Sequence, residues 1–438
     1  MKEDFLHYVW KFQKFDVGSF LTSNNEHLHI KNQGSHNLNS GPDFFNAQIE
    51  LEGQLWAGNI EIHIKSSDWY AHSHEADAAY DNVILHVVWE HDAEIYRKDG
   101  SVIPTFTIKK HIPKTTMEKY QKLFSKEKKW INCENDFEFV TDFIFENWLE
   151  RLFFERLQKK ESILLKELKD SQNHWESLLF RMLCKNFGLK VNGESFFSIA
   201  KSVDFSVVKK CSQERQDLEA LLIGQAGLLE EEKEDWYSKT LKTNYEYLKH
   251  KFDLNNENVI VPKFFRLRPP NFPTIRLAQF ATVYFEHKNL FSQIISIQNI
   301  NGYYKLFHIC ASEYWDKHYN FGVSSLERKK RITKSFVDLL VINTIIPLKF
   351  CYARQQGLDA SDEILALASE IFSEENTIVK KFNTLKEISK SANQSQALLQ
   401  LKSEYCDKNR CLHCAVGNSI ISSKRKISKN EQIQKGFL

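Results

Sequence analysis

The chain is predicted to be α+β: an N-terminal mixed sheet with flanking helices, followed by a large, mainly helical region. Three observations carry this. Six of the 15 glycines lie in the first 100 residues and ten of the 16 histidines precede Ile112, so the N-terminal part is turn-rich and polar in an uneven way. From Lys114 to Val261 there is no proline at all. Up to Lys110 apolar residues alternate or run continuously, as in strands, whereas beyond Lys114 they recur with the 3.6 period of helices.

The elements follow in order. MKEDFLHYVWKFQKF (Met1 to Phe15) reads as a helix with an early acid, Glu3, and His27 to Lys31 as a strand. GPDFFNAQIELEGQLWAGNIEIHIK (Gly41 to Lys65) reads as two strands joined at Glu52-Gly53, with Asp43 opening the first. In the second, Glu61, His63 and Lys65 alternate with Ile60, Ile62 and Ile64. A strand puts alternate side chains on opposite faces, so the isoleucines enter a core while the polar three line the other side, with Asp43 near by. That grouping is a candidate metal site; the same alternation also describes a half-buried strand with a solvated face. SSDWYAHSHEADAAYDN follows as a loop or short helix, where His72, His74 and Asp77 are metal ligands, contacts to a substrate phosphate, or chance neighbours in a His-rich region. NVILHVVWE is a central strand whose His86 reads as a satisfied core histidine. AEIYRKDGSVIPTFTIKK reads as a second hairpin with Lys98-Asp99-Gly100 at its tip, giving roughly six strands by Lys110.

Helix, strand, Pro42-Asp43, hairpin and Glu-x-(basic) in this order resemble the PD-(D/E)XK nuclease superfamily. The resemblance implies a nuclease-like domain over residues 1–113, in which Asp43 and Glu61 hold Mg²⁺ or Mn²⁺ and Glu3 is a further acid. Carboxylate oxygens suit such hard cations, which deliver an activated water to a phosphodiester. His63 stands where the superfamily has Lys. At roughly 3.3 Å per residue, His63 lies about 7 Å from Glu61 along the strand and Lys65 about 13 Å. His63 is thus the third ligand or water-orienting base, and Lys65 meets a phosphate. The implied activity is metal-dependent phosphodiester hydrolysis on nucleic acid, DNA foremost. Two alternatives stand: a nuclease-fold binding or scaffold protein without catalysis, and a transition-metal site at His63, His72 and His74 that hydrolyses a small substrate.

Residues 114–405 read as the helical region. WLERLFFERLQKKESILLKELKD sets Trp148, Leu152, Phe153, Leu157 and Leu164 along one side of a long helix. Its Arg151, Arg156, Lys159 and Lys160 are interspersed with Glu150, Glu155 and Glu161, which favours a solvated face over a nucleic-acid track. In FRLRPPNFPTIRLAQFA, Pro269, Pro270 and Pro273 enforce an extended turn before a helix from Ile275. Arg266, Arg268 and Arg276 there either clamp substrate phosphates or pair with acids in a rigid brace.

Residues 406–421 hold Cys406-x4-Cys411-x2-Cys414, three thiols suited to one tetrahedral centre. Cys133 and His413 are candidates for the fourth ligand. Zinc would make the centre a structural staple, and all-cysteine ligation also suits an iron–sulfur cluster. The superfamily includes nucleases with a cysteine-held cluster C-terminal to the core, a match in kind. Residues 422–438, which contain SSKRKISKNEQIQK, form a basic tail expected to be disordered. GPDF, GNIEIH, the His72/His74 pair, LHVVWEHD, RPPNFP and the cysteine triplet together resemble a family of uncharacterised bacterial proteins, a domain of unknown function, which implies no activity.

Composition sets outer bounds. The net charge of +2 creates no global field toward nucleic acid, so any basic surface is local. No apolar run approaches the ~20 residues of a membrane span. MKEDFLHYVWKFQKF lacks the apolar core of a signal peptide, and eight mostly scattered cysteines suit a reducing cytoplasm. No membrane association is expected.

Overall fold

The structure is a computed structural model that describes residues 1–16, 18–125, 129–231 and 234–423. The chain divides into two units: Met1–Trp148 with the segment from Leu401 onward, and Leu149–Gln400. The composition shift near residue 113 is therefore not a boundary. Helix α3 (Lys114–Leu123) packs on the last described helix, Ala415–Ser422, and Tyr8 donates to Asn418 Oδ1 at 2.9 Å, so the cysteine segment belongs with the sheet. The basic tail lies, from residue 424, outside the described residues.

In the first unit, α1 (Glu3–Lys11) carries Glu3 and Asp4 in its first turn and Lys11 in its last, complementing the helix dipole. It buries Phe5, Leu6, Val9 and Trp10 and ends short of Phe15, with Gln13 in the left-handed region. The sheet consists of β1 (Phe20–Leu21), β2 (His27–Asn32), β3 (Ser35–His36), β4 (Phe44–Leu51), β5 (Gln54–Lys65), β6 (Val83–Glu90) and β7 (Thr105–Thr107). Its order is β1-β2-β4-β5-β6-β7, with β3 paired to β4. Pairing is antiparallel from β1 to β5 and parallel from β5 through β7. The Glu52-Gly53 turn forms as expected, both residues having positive φ, as a two-residue hairpin turn of the twisted type requires. The second hairpin shrinks to a bridge between Tyr96 and Val102. Pro104 has no N–H to continue that ladder; its carbonyl accepts from His86 instead, and β7 joins β6 in parallel.

The alternation in β5 is not a division between core and solvent. Ile60, Glu61, Ile62 and His63 are all buried, with Glu61 5% and His63 2% exposed. The reason is coverage: β5 is a central strand, and both α1 and α2 (Asp68–Ala71) pack on it. Gly58 makes the close approach of β5 to β6 possible. A Cβ there would lie 2.4 Å from Ile84 Cγ2 and 2.6 Å from the Asn82 carbonyl oxygen.

The second unit is mainly helical, with helices at Trp175–Phe187, Leu189–Lys201, Arg215–Gln225, Trp236–Phe252 and Pro273–Glu286. Glu161 is buried and pairs with Arg354 at 2.8 Å, so this acid of the long helix α4 (Asp142–Asp170) does not face solvent. Among the described residues, the helical stretch Lys334–Gln355 is long and apolar enough to cross a membrane by length and composition. Its charges are spread so that an 18-residue window still averages 1.6 in hydropathy, but 78% of that window is buried within the protein, as in a core helix.

Gly58→Ala is expected to cost about 1–3 kcal/mol, because neither the Asn82 backbone nor the packed Ile84 can yield freely. Denaturant unfolding followed by far-UV circular dichroism measures it, and a wild-type midpoint would contradict the β5–β6 contact.

Candidate metal centre

Strand register brings the first two acids together. From Leu51↔Gln54 to Ala47↔Gly58 the β4–β5 pairing is regular, and continued unchanged it would set Asp43 opposite Ile62. A bulge intervenes, with Asn46 at φ +57°, and Phe44 pairs with Ile60. Asp43 thereby stands opposite Glu61. A one-residue slip exchanges the faces of a strand, so the bulge decides on which side Asp43 lies. The two residues are tied reciprocally: the Asp43 amide donates to Glu61 Oε2 at 3.1 Å, and the Ile62 amide to Asp43 Oδ2 at 2.9 Å.

The β5–β6 crossover supplies the histidines. After α2, His72 is helical, Ser73 takes φ +60°, and His74 opens a 3₁₀ turn. A left-handed non-glycine residue is strained, and here it reverses the chain between two rings that both reach His63. The ring nitrogens of His63, His72 and His74 all lie within 4.8 Å of one another. His63 Nε2 is 3.1 Å from His72 Nδ1 and 3.4 Å from Glu61 Oε1, and His74 Nε2 is 3.3 Å from Glu61 Oε1. Tyr80 stacks on His74 with centroids 3.8 Å apart, and Trp69 meets it edge-on. On β6, His86 sits level with Glu61 and its Nε2 lies 2.9 Å from His63 Nδ1.

These separations fit a metal. Bonds of 2.0–2.1 Å place tetrahedral donors about 3.4 Å apart, close to the spacing of these donors. His74 Nε2 makes no well-directed hydrogen bond. His63 is anchored through Nδ1, which leaves Nε2 to ligate, the usual arrangement of a metal-bound imidazole with an outer partner. Three imidazoles and one carboxylate suit Zn²⁺, Mn²⁺ or Fe²⁺ better than the Mg²⁺ of an all-carboxylate site.

Charge agrees with this donor set. Burial, aided by His74 and His72, pulls His63 down to about 3, and burial holds His86 well below the ordinary range, so both rings are neutral as ligation requires. Burial also raises Glu61, with Asp43 adding and His74 opposing. Burial takes the Glu3 carboxyl up to about 7, Asp43 and Glu61 contributing against His7. Burial lowers His7, but its contact with Asp43, 3.1 Å away, outweighs that and raises it overall.

Residues 3–377 match the model of a family described as a protein of unknown function (DUF2851). The chain belongs to this family. No curated protein and no solved structure matches it. The matched span includes Glu3, the hairpin, the crossover and RPPNFP, and ends before the cysteine triplet. Membership of the DUF2851 family assigns no chemistry, so the centre is read from its geometry.

The other sequence candidates stand apart from this group. Lys65 is half exposed with Nζ 3.9 Å from Asp92, and Asp77 caps the turn Ala78–Tyr80 by accepting from the Ala79 amide. Arg266 and Arg268 are exposed in the second unit. Arg276 is enclosed, and its contacts are two amide side chains and an aromatic ring. It is 7% exposed, lies 3.6 Å over the Phe336 ring, and donates to Gln279 and Asn271. Its helix begins at Pro273, where a missing N–H costs nothing. Sequence reading passed over His7, although it lies four residues after Glu3 on the same helical face. His86 was read as a core residue, which it is, but its position beside His63 required the parallel register.

The Glu3 carboxyl gives a pH test on metal-free protein. Below pH 4.5 it is protonated in folded and unfolded chains alike; as pH rises to about 7 only the unfolded chain releases the proton, so stability is lost across that window. Glu3→Gln is expected to raise the melting temperature at pH 8 and leave it unchanged at pH 4. Calorimetry at the two pH values checks this; an equal difference at both contradicts the burial that raises this carboxyl.

Proposed function

We propose that the centre is a metal-dependent phosphodiester hydrolase acting on nucleic acid. The observation that carries this is Glu61 Oε1 lying 3.3–3.4 Å from two imidazole nitrogens while Glu61 Oε2 faces Asp43. The helix, hairpin, crossover and parallel strand around these residues support the nuclease-like reading of the sequence. In this reading His63, His72, His74 and Glu61 hold the cation, which would polarise a phosphoryl oxygen and acidify a bound water. His7, whose charged form Asp43 favours against burial, would protonate a leaving oxygen. A cleft of about 800 Å³ beside the first turn of α1 is lined by Lys2, Asp4, Asn132, Lys408, Arg410 and His413. Its three cations supply phosphate contacts.

The depth of the centre favours a second reading, hydrolysis of a small substrate. The Glu61 and His63 side chains are only 6% and 2% exposed, and His72 alone of the three histidines is exposed.

Single- and double-stranded DNA and RNA, and a small aryl phosphodiester, are to be incubated with Mn²⁺, Zn²⁺ or Mg²⁺. Glu61→Gln and His63→Ala are each expected to lower the rate by at least about 100-fold with the circular dichroism spectrum retained. Turnover of the small ester alone selects the second reading. Cation-independent nucleic-acid binding that survives both substitutions, without cleavage, selects a binding protein.

A further inference from the structure

We propose that Cys133, Cys406, Cys411 and Cys414 hold an iron–sulfur cluster that fastens the C-terminal segment to the residues after α3. The inference is independent of the hydrolytic reading, since it uses none of the histidine centre. The four thiols come from separate local structures. Cys133 precedes the 3₁₀ turn Glu134–Phe139, Cys406 ends the π-turn Leu401–Cys406, Cys411 opens the turn Cys411–His413, and Cys414 caps the helix Ala415–Ser422. All four line one cavity, walled by Phe137, Leu401 and Tyr405 among others. His413 is exposed and lies outside that lining, so Cys133 is the fourth ligand.

Spacing selects the occupant. Four thiolates on one zinc stand about 3.8 Å apart, given Zn–S bonds of 2.3 Å. Among the described residues, no three of these sulfurs come within 4.8 Å of one another, a limit that the three histidines meet. A cubane of iron and sulfide spreads its cysteine sulfurs to about 6 Å. The cavity leaves about 10 Å³ free, room for one water. A metal approaches a thiolate to about 2.3 Å, much closer than a water does, so a bonded cluster occupies space from which the sulfurs exclude water.

Burial raises all four thiols, and hydrogen-bond donors oppose it at two of them. Asn132 Nδ2 donates to Cys411 Sγ at 3.4 Å, and the Gly417 and Val416 amides work against burial at Cys414. Such N–H donors offset the negative charge of cluster sulfurs. A Cβ at Gly417 would lie 2.2 Å from the Cys411 carbonyl oxygen, so glycine is what lets the last helix close over the motif. Assembly from four ferrous ions and four hydrosulfides releases four protons from the thiols and four from hydrosulfide, and passes two electrons to ferric iron supplied with them, which leaves the cluster iron at a mean state of about +2.5.

Full-length protein purified without oxygen, or reconstituted with ferrous and ferric iron, sulfide and a thiol, is expected to carry about four irons and four sulfides per chain and a broad visible absorption. Cys411→Ser should lose the iron, whereas Cys310→Ser, a half-buried thiol elsewhere, and Glu61→Gln should keep it. Asn132→Ala, which spares all four ligands, should retain iron but lower the reduction potential by removing a hydrogen bond to sulfur. Stoichiometric zinc without iron, iron retained in Cys411→Ser, or four thiols still freely titratable after reconstitution would each overturn the proposal.

Discussion

The contact on which the candidate centre depends is the pairing of Phe44 with Ile60, one residue out of step with the rest of the β4–β5 ladder. A strand has only two faces, so a single inserted residue at Asn46 moves Asp43 from the side of Ile62 to the side of Glu61. Once opposed, the two carboxylates accept from each other's strand backbone. His7, from α1, is the group that answers the charge of Asp43. An ordinary hairpin of the same residues would have split the acids across the sheet.

The second constraint is the parallel crossover between β5 and β6. Parallel neighbours need a connection long enough to return across the sheet, and this one passes over β5 with α2 and two short turns. Its path covers Glu61 and His63 and delivers His72 and His74 to them. Burying so many polar groups is tolerable only when they satisfy one another. His86 meets His63, Glu61 meets Asp43, and Tyr80 and Trp69 wall off His74. The left-handed Ser73 carries strain of roughly 1–3 kcal/mol, placed where two rings must turn inward together.

Much of the fold was legible because periodicity is a local property. The Glu52-Gly53 turn, the strand at NVILHVVWE and the helices beyond Lys114 all lie where alternation, turn residues and the 3.6 period put them. Burial was less legible. Alternation in β5 suggested one wet face, but covering elements decide wetness, and both α1 and α2 lie on that strand. The arginines of RPPNFPTIR read equally as phosphate clamps or as acid-paired members of a brace, whereas Arg276 is enclosed by Asn271 and Gln279 from its own segment and by the distant Phe336. The apparent boundary near residue 113 marked a change of secondary structure, while the first unit continues to Trp148 and resumes at Leu401.

Taken alone, the sequence determined the α+β class, the candidate donors Asp43, Glu61, His63, His72 and His74, and the thiol triplet, since residue type and spacing are written in the chain. Tertiary structure decided which of them meet. It chose the face of Asp43 through a bulge, set His86 beside His63 through the β6 register, and brought Cys133 to thiols more than 270 residues away. Such meetings follow from packing between distant segments, and no local pattern encodes them.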